Sequence, residues 1–381
     1  MTSVCFVYGN HGSSPNQLDD LWNICVQLFK RALNVDLLAS ERPVPGALNV
    51  IVECFDANFN ARLRDIKASN PDTRLICIVT EFVTQQTFNQ FESGLTVDVR
   101  RDIKSRIRLV LGRTISTVIN QNIRDFFDSR LRFAYRQGRT IYFSVFGKDA
   151  HRLMKTHYEQ ISYWKNRFEN FAEASPLFDF IFIVNDHQLE GYSNAFPNLQ
   201  IARLPIFQLG EDDCKAASQN PNRDIDFFFS GTLTTHRRRI IEELRDRGFT
   251  VVATPANLPE CLRANYLRRA KVCLHIKVHP SWPFPSNIRL HQLLSLGKKI
   301  VVEQSTFSCW QDQFCRVSGS ESFVETCAAT VMQEIDETSI RSAYKTQSNA
   351  QWETVKGDIT KLLLGNERAE PHKDEISKAW I

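Results

Sequence analysis

Three consecutive arginines follow a short turn in the stretch FFFSGTLTTHRRR, residues 227–239. An apolar run ends at Ser230-Gly231, and the arginines fall where a helix begins. A helix N-terminus favours anions and disfavours cations, so arginines there indicate a bound anion such as a phosphate or pyrophosphate. The predicted contacts of this anion are Ser230, Gly231, Thr232, Arg237 and Arg238. Solvated surface charges, balanced by nearby glutamates, are the alternative interpretation.

A second group of polar and aromatic residues lies in KVCLHIKVHPSWPFPSNIRLHQLLSLGKKIVVEQ, residues 271–304. Three prolines stiffen a loop at 280–286 between a strand and a helix, and Ser and Asn at the helix start are good N-caps. Because this turn is expected at the same sheet edge as the first, both can face one ligand. The predicted lining residues are Trp282, Asn287, Arg289, His291 and Gln292. Packing of Trp282 and its neighbour Phe284 into the core is the alternative.

Strands and helices alternate along the chain in two series. The first comprises strand-like runs at 3–9, 47–55 and 73–82 with helical patterns between them, and the second begins near residue 225. This alternation predicts α/β architecture with parallel sheets. We predict two Rossmann-like domains that face a cleft, followed by C-terminal helices. The predicted divisions are 1–175, 176–335 and 336–381, with a basic helical insertion at about 95–140 and a polar connector at 205–224.

Composition and charge restrict the class of protein. The 381 residues are 43% hydrophobic and 24% charged, with a net charge of +4, which is ordinary for a globular protein. The N-terminal apolar run lacks a basic leader, and no apolar run reaches the ~20 residues of a membrane span. Ten cysteines without a CxxC pair predict a reduced, cytoplasmic protein without a structural metal.

The segment 97–139 is basic, with eleven Arg or Lys residues against four Asp. The alternation of Arg with apolar residues favours amphipathic helices with a solvated face. The alternative is peripheral contact with an anionic membrane or an acidic acceptor. No nucleic-acid motif is present, so nucleic acid is not an expected partner.

The order strand–SGT–RR–helix, followed by LRRAKVCLHIKVHPSWPFPSNIRLHQLLSLGKKIVVE at 267–303, resembles the C-terminal half of GT-B glycosyltransferases. It is most similar to a bacterial branch that includes spore-maturation-protein (CgeB-like) enzymes. The resemblance covers about 170–310; before residue 165 it rests on architecture. It implies a nucleotide-sugar donor held by the C-terminal domain, no further cofactor, and an acceptor that is a glycan, a lipid-linked glycan or a protein.

The sequence departs from the family pattern at two positions. Many retaining members carry two glutamates eight residues apart, and the matching positions here hold Phe284 and Gln292. The resemblance therefore leaves Glu303, at the end of the next strand, as the substitute contact for the donor ribose. No DxD motif flanked by apolar residues occurs, which favours transfer without a metal ion.

The resemblance also implies an acceptor site on the N-terminal domain, where an inverting enzyme needs a general base. Three residues follow predicted strands and are the candidates: His11, Asp56 and Glu81. His11 is preferred because its loop is glycine-rich and its ordinary pKa suits proton transfer. Two alternatives to transfer stay open: a catalytically silent binding or scaffold protein, and a sugar-nucleotide epimerase-like enzyme.

Overall fold

The structure is a computed structural model that describes residues 3–11, 18–84, 86–89, 161–207, 223–255, 258–334 and 336–365. The predicted basic insertion at 95–140 and most of the connector at 205–224 lie outside these ranges.

The first sheet has six parallel strands in the order β2-β1-β3-β4-β7-β8. Its strands are β1 (Val4–Val7), β2 (Leu37–Ser40), β3 (Leu48–Val52), β4 (Arg74–Val79), β7 (Phe180–Ile183) and β8 (Ile201–Arg203). The helices along it are α1 (Asp19–Leu33), α2 (Ala57–Ser69), α3 (Ile161–Ala174) and α4 (Leu189–Ala195). A short hairpin, β5 (Val83–Thr84) with β6 (Thr87–Phe88), follows β4.

The second sheet has five parallel strands in the order β10-β9-β11-β12-β13. Its strands are β9 (Ile225–Ser230), β10 (Val251–Thr254), β11 (Ala270–His275), β12 (Ile300–Glu303) and β13 (Arg316–Ser318). The helices are α5 (Thr235–Asp246), α6 (Glu260–Arg269), α7 (Asn287–Ser295), α8 (Phe323–Val331) and α9 (Glu337–Leu364). The α/β fold class with two parallel sheets is therefore confirmed.

The central strands are buried along their whole length, as in sheets covered by helices on both faces. Every residue of β3 and β12 is buried. These mostly apolar runs, separated by helical patterns, are the reason that the sequence predicts parallel sheets.

Helix α9 connects the two sheets. Tyr344, near its start, packs in the core of the second sheet, whereas Trp352 and Leu363 pack in the core of the first. The Arg74 guanidinium, at the start of β4, donates to the carbonyl oxygens of Leu362 (3.0 Å) and Leu363. The C-terminal helix is thus shared by both halves.

One predicted division differs from the structure. The sequence assigned residues from 176 onward to the second domain, but β7 and β8 pair with the first sheet. The change from one sheet to the other falls between Arg203 and Ile225. The predicted connector at 205–224 therefore marks this change better than the predicted boundary at 175.

Candidate functional site

The turn after β9 brings the backbone close to an arginine from another element. Gly231 has φ +152°, and a Cβ there would lie 3.0 Å from Nη2 of Arg289 and 3.1 Å from the Phe229 ring. Only glycine fits this approach without strain. The predicted closeness of the Ser230-Gly231 turn to the start of α7 is therefore present.

Arg289 is the third residue of α7, and its guanidinium lies 5.7 Å from the centre of the Phe229 ring. None of the described residues accepts a hydrogen bond from it or forms an ion pair with it. Burial lowers its pKa, Asp20 opposes this, and the positive charge of Arg263 adds to it. A guanidinium stays charged in proteins, so Arg289 presents a cation at this edge of the sheet.

Arg289 lines a cavity of about 110 Å³ between the second sheet and the start of α1. Its other polar walls are Ser230, Gln292, Asp20 and Arg263, and the apolar remainder comes from β9, β11 and their helices. Asp20 and Arg263 form an ion pair with a Nη2–Oδ1 distance of 2.6 Å. The cavity thus combines two guanidinium groups with one carboxylate.

The two arginines that were predicted to bind the anion donate hydrogen bonds to backbone carbonyl oxygens. Arg237 is buried; its Nε donates to the carbonyl oxygens of Ile276 (3.0 Å) and Lys277 (3.1 Å), and its Nη1 donates to that of Thr232 (2.9 Å). Arg238 donates from Nε to the carbonyl oxygen of Leu233 (3.1 Å). These bonds tie the turn to the end of β11, whereas Arg289 lines the cavity, so the predicted contact of Arg237 or Arg238 with an anion stays a prediction.

The start of α5 is capped by the side chain of Thr234. The Thr234 hydroxyl accepts from the Arg237 N–H (3.4 Å) and donates to the Val278 carbonyl (2.7 Å). The Gly231 N–H donates to the Thr254 carbonyl (2.9 Å) and so does not point at a ligand. The predicted contact of Gly231 with the anion therefore does not use this N–H and stays a prediction.

Glu303 does not present its carboxylate to a ligand. It is fully buried and accepts hydrogen bonds from the His236 Nε2 (2.9 Å), the Lys277 N–H (2.9 Å) and the Ser320 hydroxyl (2.7 Å). Burial opposes its ionisation, but these hydrogen bonds outweigh burial and lower its pKa. The prediction of a ribose contact at Glu303 is corrected: the residue joins three loops at the sheet edge.

His291 also faces away from the cavity. Its Nδ1 lies 2.7 Å from the Tyr344 hydroxyl on α9, and burial lowers its pKa to about 4. Gln292, the next residue, lines the cavity. The helical turn separates these neighbours onto different faces, so of the two only Gln292 lines the cavity.

The proline-rich loop packs against the first sheet. Phe284 stacks on Phe82, with ring centres 3.6 Å apart and 2° between the planes, and Trp282 meets the same ring edge-on at 6.0 Å. Phe307 also stacks on Phe284, with ring centres 5.1 Å apart. The core-packing alternative therefore holds for Phe284, and the loop joins the carboxyl edges of the two sheets.

Asn287 lies at the same junction. Its Nδ2 donates to the Val184 carbonyl (3.2 Å), and Asn185 Nδ2 approaches its Oδ1 (3.4 Å). Asn287 thus contacts the end of β7 rather than the cavity walls around Arg289.

His11 lies in a 3-10 turn after β1, and its Nε2 is buried without a hydrogen-bond partner among the described residues. Burial lowers its pKa to about 4, the charge of Arg167 adds to this, and a bond with the Val52 backbone opposes it. His11 is therefore neutral at neutral pH, with a lone pair available but of low basicity.

A buried ion cluster next to His11 was not found from the sequence. Arg167 on α3 donates to Glu53 Oε1 (2.5 Å) and to Glu81 Oε1 (3.0 Å), and Glu81 also accepts from Asn89 (2.6 Å). Burial raises the pKa of Glu53, and the shared guanidinium opposes this. Glu53 interrupts the apolar run VIVECF, which was the available signal; nothing in the sequence marks Arg167 as its partner.

Asp56 has a structural role. Its carboxylate caps α2 by accepting from the Phe59 N–H (2.8 Å), and the side chain is exposed. The first sheet thus brings His11 and Glu81 to one place, with Glu81 already paired, and puts Asp56 at a helix start.

Within the described ranges, no group of three His, Cys, Asp or Glu side chains is arranged to hold a metal ion. None of the helices that the structure describes is long and apolar enough to cross a membrane.

No protein-family model matches the chain, and no curated protein sequence matches it. Several solved structures are similar in fold. A UDP-forming α,α-trehalose-phosphate synthase from Burkholderia xenovorans is 8% identical, with a TM-score of 0.42 over 84% of this chain and 73% of that one. The same kind of enzyme from that organism, in complex with glucose-6-phosphate, is 9% identical, with a TM-score of 0.41 over 93% and 77%. The apo UGT2 of Phytolacca americana is 11% identical, with a TM-score of 0.33 over 94% and 82%.

Proposed function

We propose that the chain is a glycosyltransferase that moves a sugar from a nucleotide-sugar donor to an acceptor hydroxyl. The observation that carries this proposal is Arg289, a cation that makes no hydrogen bond or ion pair with the described residues and is held against Gly231 at the carboxyl edge of a parallel sheet. Ligands of open parallel sheets bind at this edge, and a guanidinium whose donors are not used by the protein suits a diphosphate.

The proposed donor site uses the polar walls of the cavity. Arg289 holds the diphosphate, and Ser230 and Gln292 supply neutral hydrogen-bonding groups next to it. The cavity of about 110 Å³ is smaller than the ~300–1,000 Å³ of typical ligand pockets. Donor binding therefore requires the side of the cavity formed by the start of α1 to move outward.

In the proposed reaction the acceptor oxygen forms a bond to the anomeric carbon, and the bond from that carbon to the diphosphate breaks. The diphosphate leaves with the electron pair, and Arg289 stabilises its charge without a metal ion. His11 remains the proposed base for the acceptor proton. Its pKa of about 4 leaves it unprotonated at neutral pH but makes it a weak base.

A catalytically silent binding protein is the second candidate, and the first sheet contains an observation that favours it. Glu81 is paired with Arg167, Asp56 caps a helix, and His11 is of low basicity. A chain with such groups could bind the nucleotide without transferring a sugar.

The test is a thermal-shift screen of UDP, GDP, CMP and dTDP sugars, followed by a product assay with the donor that binds. Binding at 100 Kd stabilises a protein by ~2.7 kcal/mol, which is readily seen. Release of the nucleotide with sugar transfer or hydrolysis supports the glycosyltransferase. Binding without turnover supports the silent protein, and epimerised donor without release points to an epimerase. If no nucleotide binds, the proposed function is wrong.

A further inference from the structure

Asp20 reaches from the first half of the molecule into the cavity of the second. It lies in the first turn of α1, and its Oδ1 and Oδ2 accept from Arg263 Nη2 (2.6 Å) and Nη1 (3.4 Å) on α6. The two side chains are 21% and 6% exposed. A fork-to-fork pair of this kind mimics the way in which an arginine holds a phosphate.

The charges around the cavity do not balance within the described residues. Arg263 and Arg289 line it together, and Asp20 is the one carboxylate that the described part of the chain contributes to its wall. In addition, the Nε of Arg263 is buried without a hydrogen-bond partner among the described residues. A buried donor without a partner calls for a ligand or a water, and the excess positive charge selects an anion.

We propose that Arg263 is a second ligand of the donor diphosphate and that Asp20 competes with the diphosphate for it. This inference rests on the proposed function for the identity of the ligand. When the diphosphate binds, Arg263 and Arg289 hold it together and Asp20 moves away with the start of α1. The cavity, too small for a nucleotide sugar with Asp20 in place, opens in the same step.

The release of Asp20 has a consequence for the two sheets. The Asp20–Arg263 pair joins a helix of the first sheet to a helix of the second, so donor binding removes one ion pair between the halves. The acceptor half is thereby freed to adjust when the donor is in place.

The test is a calorimetric titration of the whole chain with inorganic pyrophosphate, which probes the anion site without any turnover. The competition predicts that Asp20→Asn tightens binding by roughly tenfold, about the effect of one charge-assisted hydrogen bond. Asp224→Asn is the matched control, because Asp224 pairs with Arg269 on the same helix in an exposed position. It removes a carboxylate that pairs with an arginine of α6, as Asp20 does, and should change binding by less than about twofold, since exposed charges are screened.

Arg263→Gln is a second variant, and its pyrophosphate affinity tests the proposal even if Asp20→Asn does not fold. It should weaken pyrophosphate binding by roughly tenfold, and in the double variant the gain from Asp20→Asn should vanish. Unchanged or weaker binding in Asp20→Asn, or unchanged binding in Arg263→Gln, would overturn the inference and leave the pair as a structural link. Tighter binding in Asp20→Asn without turnover of any nucleotide sugar would keep the inference and reject the proposed enzyme.

Discussion

At the scale of single residues, buried charges hold the carboxyl edges of both sheets in place. Glu303 collects three donors from the start of α5, the end of β11 and the loop after β13. Each loop carries polar groups that would be costly to bury without a partner. The residue therefore holds these loops together at the carboxyl edge of the second sheet.

Glu303→Gln should lower the free energy of unfolding by about 2 kcal/mol at pH 7, since hydrogen bonds to a charged group contribute ~1.5–3 kcal/mol. The pKa of Glu303 lies below its ordinary 4.5 in the folded chain, so its stabilisation is present above pH 4.5 and lost as the pH falls through the folded value. Urea unfolding at pH 7 and below pH 4 measures both effects. Glu325→Gln, which alters an exposed pair with Arg247, is the control and should change little. If Glu303→Gln lowered the free energy of unfolding by the same amount at low pH as at pH 7, the stabilising role of the ionised carboxylate would be contradicted.

Arg167→Met should destabilise the chain by about 3–5 kcal/mol at pH 9, where both side chains are ionised, because it leaves the Glu53 and Glu81 carboxylates without their cation. Burial raises the pKa of Glu53 in the folded chain above its ordinary 4.5. Ionisation of Glu53 therefore lowers the free energy of unfolding as the pH rises through the pKa of the folded chain. The loss in Arg167→Met should therefore be larger at pH 9 than at pH 5 in denaturant unfolding. Arg64→Met, at the exposed Arg64–Glu173 pair, should cost less than about 1 kcal/mol. Equal losses in the two variants would show that Arg167 is not needed as a counter-ion.

Residue types and spacing predicted part of the cavity lining. Arg289, Ser230 and Gln292 were selected because they follow strands, and all three line the cavity. Arg237 was selected by the same reasoning but turns to the Ile276 and Lys277 carbonyls. Which of two arginines pairs with the backbone depends on tertiary contacts between β11 and α5, and these leave no mark on the spacing of the sequence.

At the scale of elements, apolar runs and helical periodicity predicted the central strands and most helices. The edge strand β2 (Leu37–Ser40) was missed because its burial is uneven and Leu38 is 53% exposed. Edge strands lack the continuous apolar run of buried parallel strands. The first sheet therefore has one more strand at this edge than the pattern indicates.

The end of α7 depends on a glycine. Gly297 has φ +69°, and a Cβ there would collide with the Glu337 carbonyl oxygen at the start of α9. Gly297→Ala should destabilise by more than about 1 kcal/mol, because the conformation and the contact are both unfavourable for alanine. Gly357→Ala is the matched control; it lies within α9 with open space around it and should stabilise by about 0.5–1 kcal/mol. A higher melting temperature for Gly297→Ala than for Gly357→Ala would show that the end of α7 does not depend on a glycine at position 297.

At the scale of the whole molecule, two parallel sheets meet through their carboxyl edges and share helix α9. The aromatic stack of Phe82 with Phe284 and the Asp20–Arg263 pair both cross between the halves. The two α/β series could be predicted from the sequence, because each follows from local periodicity. The place where β7 and β8 pair could not, since strand order is decided by contacts far apart in the chain.

The central claim is that Arg289, and not the arginines of α5, binds the diphosphate of the donor. The most direct test is the affinity of the chain for UDP, or for the nucleoside diphosphate selected by the screen, in Arg289→Gln and Arg239→Gln. Arg239 is exposed and pairs with Glu243. The control substitution Arg239→Gln therefore removes the same charge from the same half of the molecule. We predict at least tenfold weaker binding in Arg289→Gln, the effect of one charge-assisted hydrogen bond of ~1.5–3 kcal/mol, and little change in Arg239→Gln. Equal affinity of Arg289→Gln and the unmodified chain would contradict the proposed site.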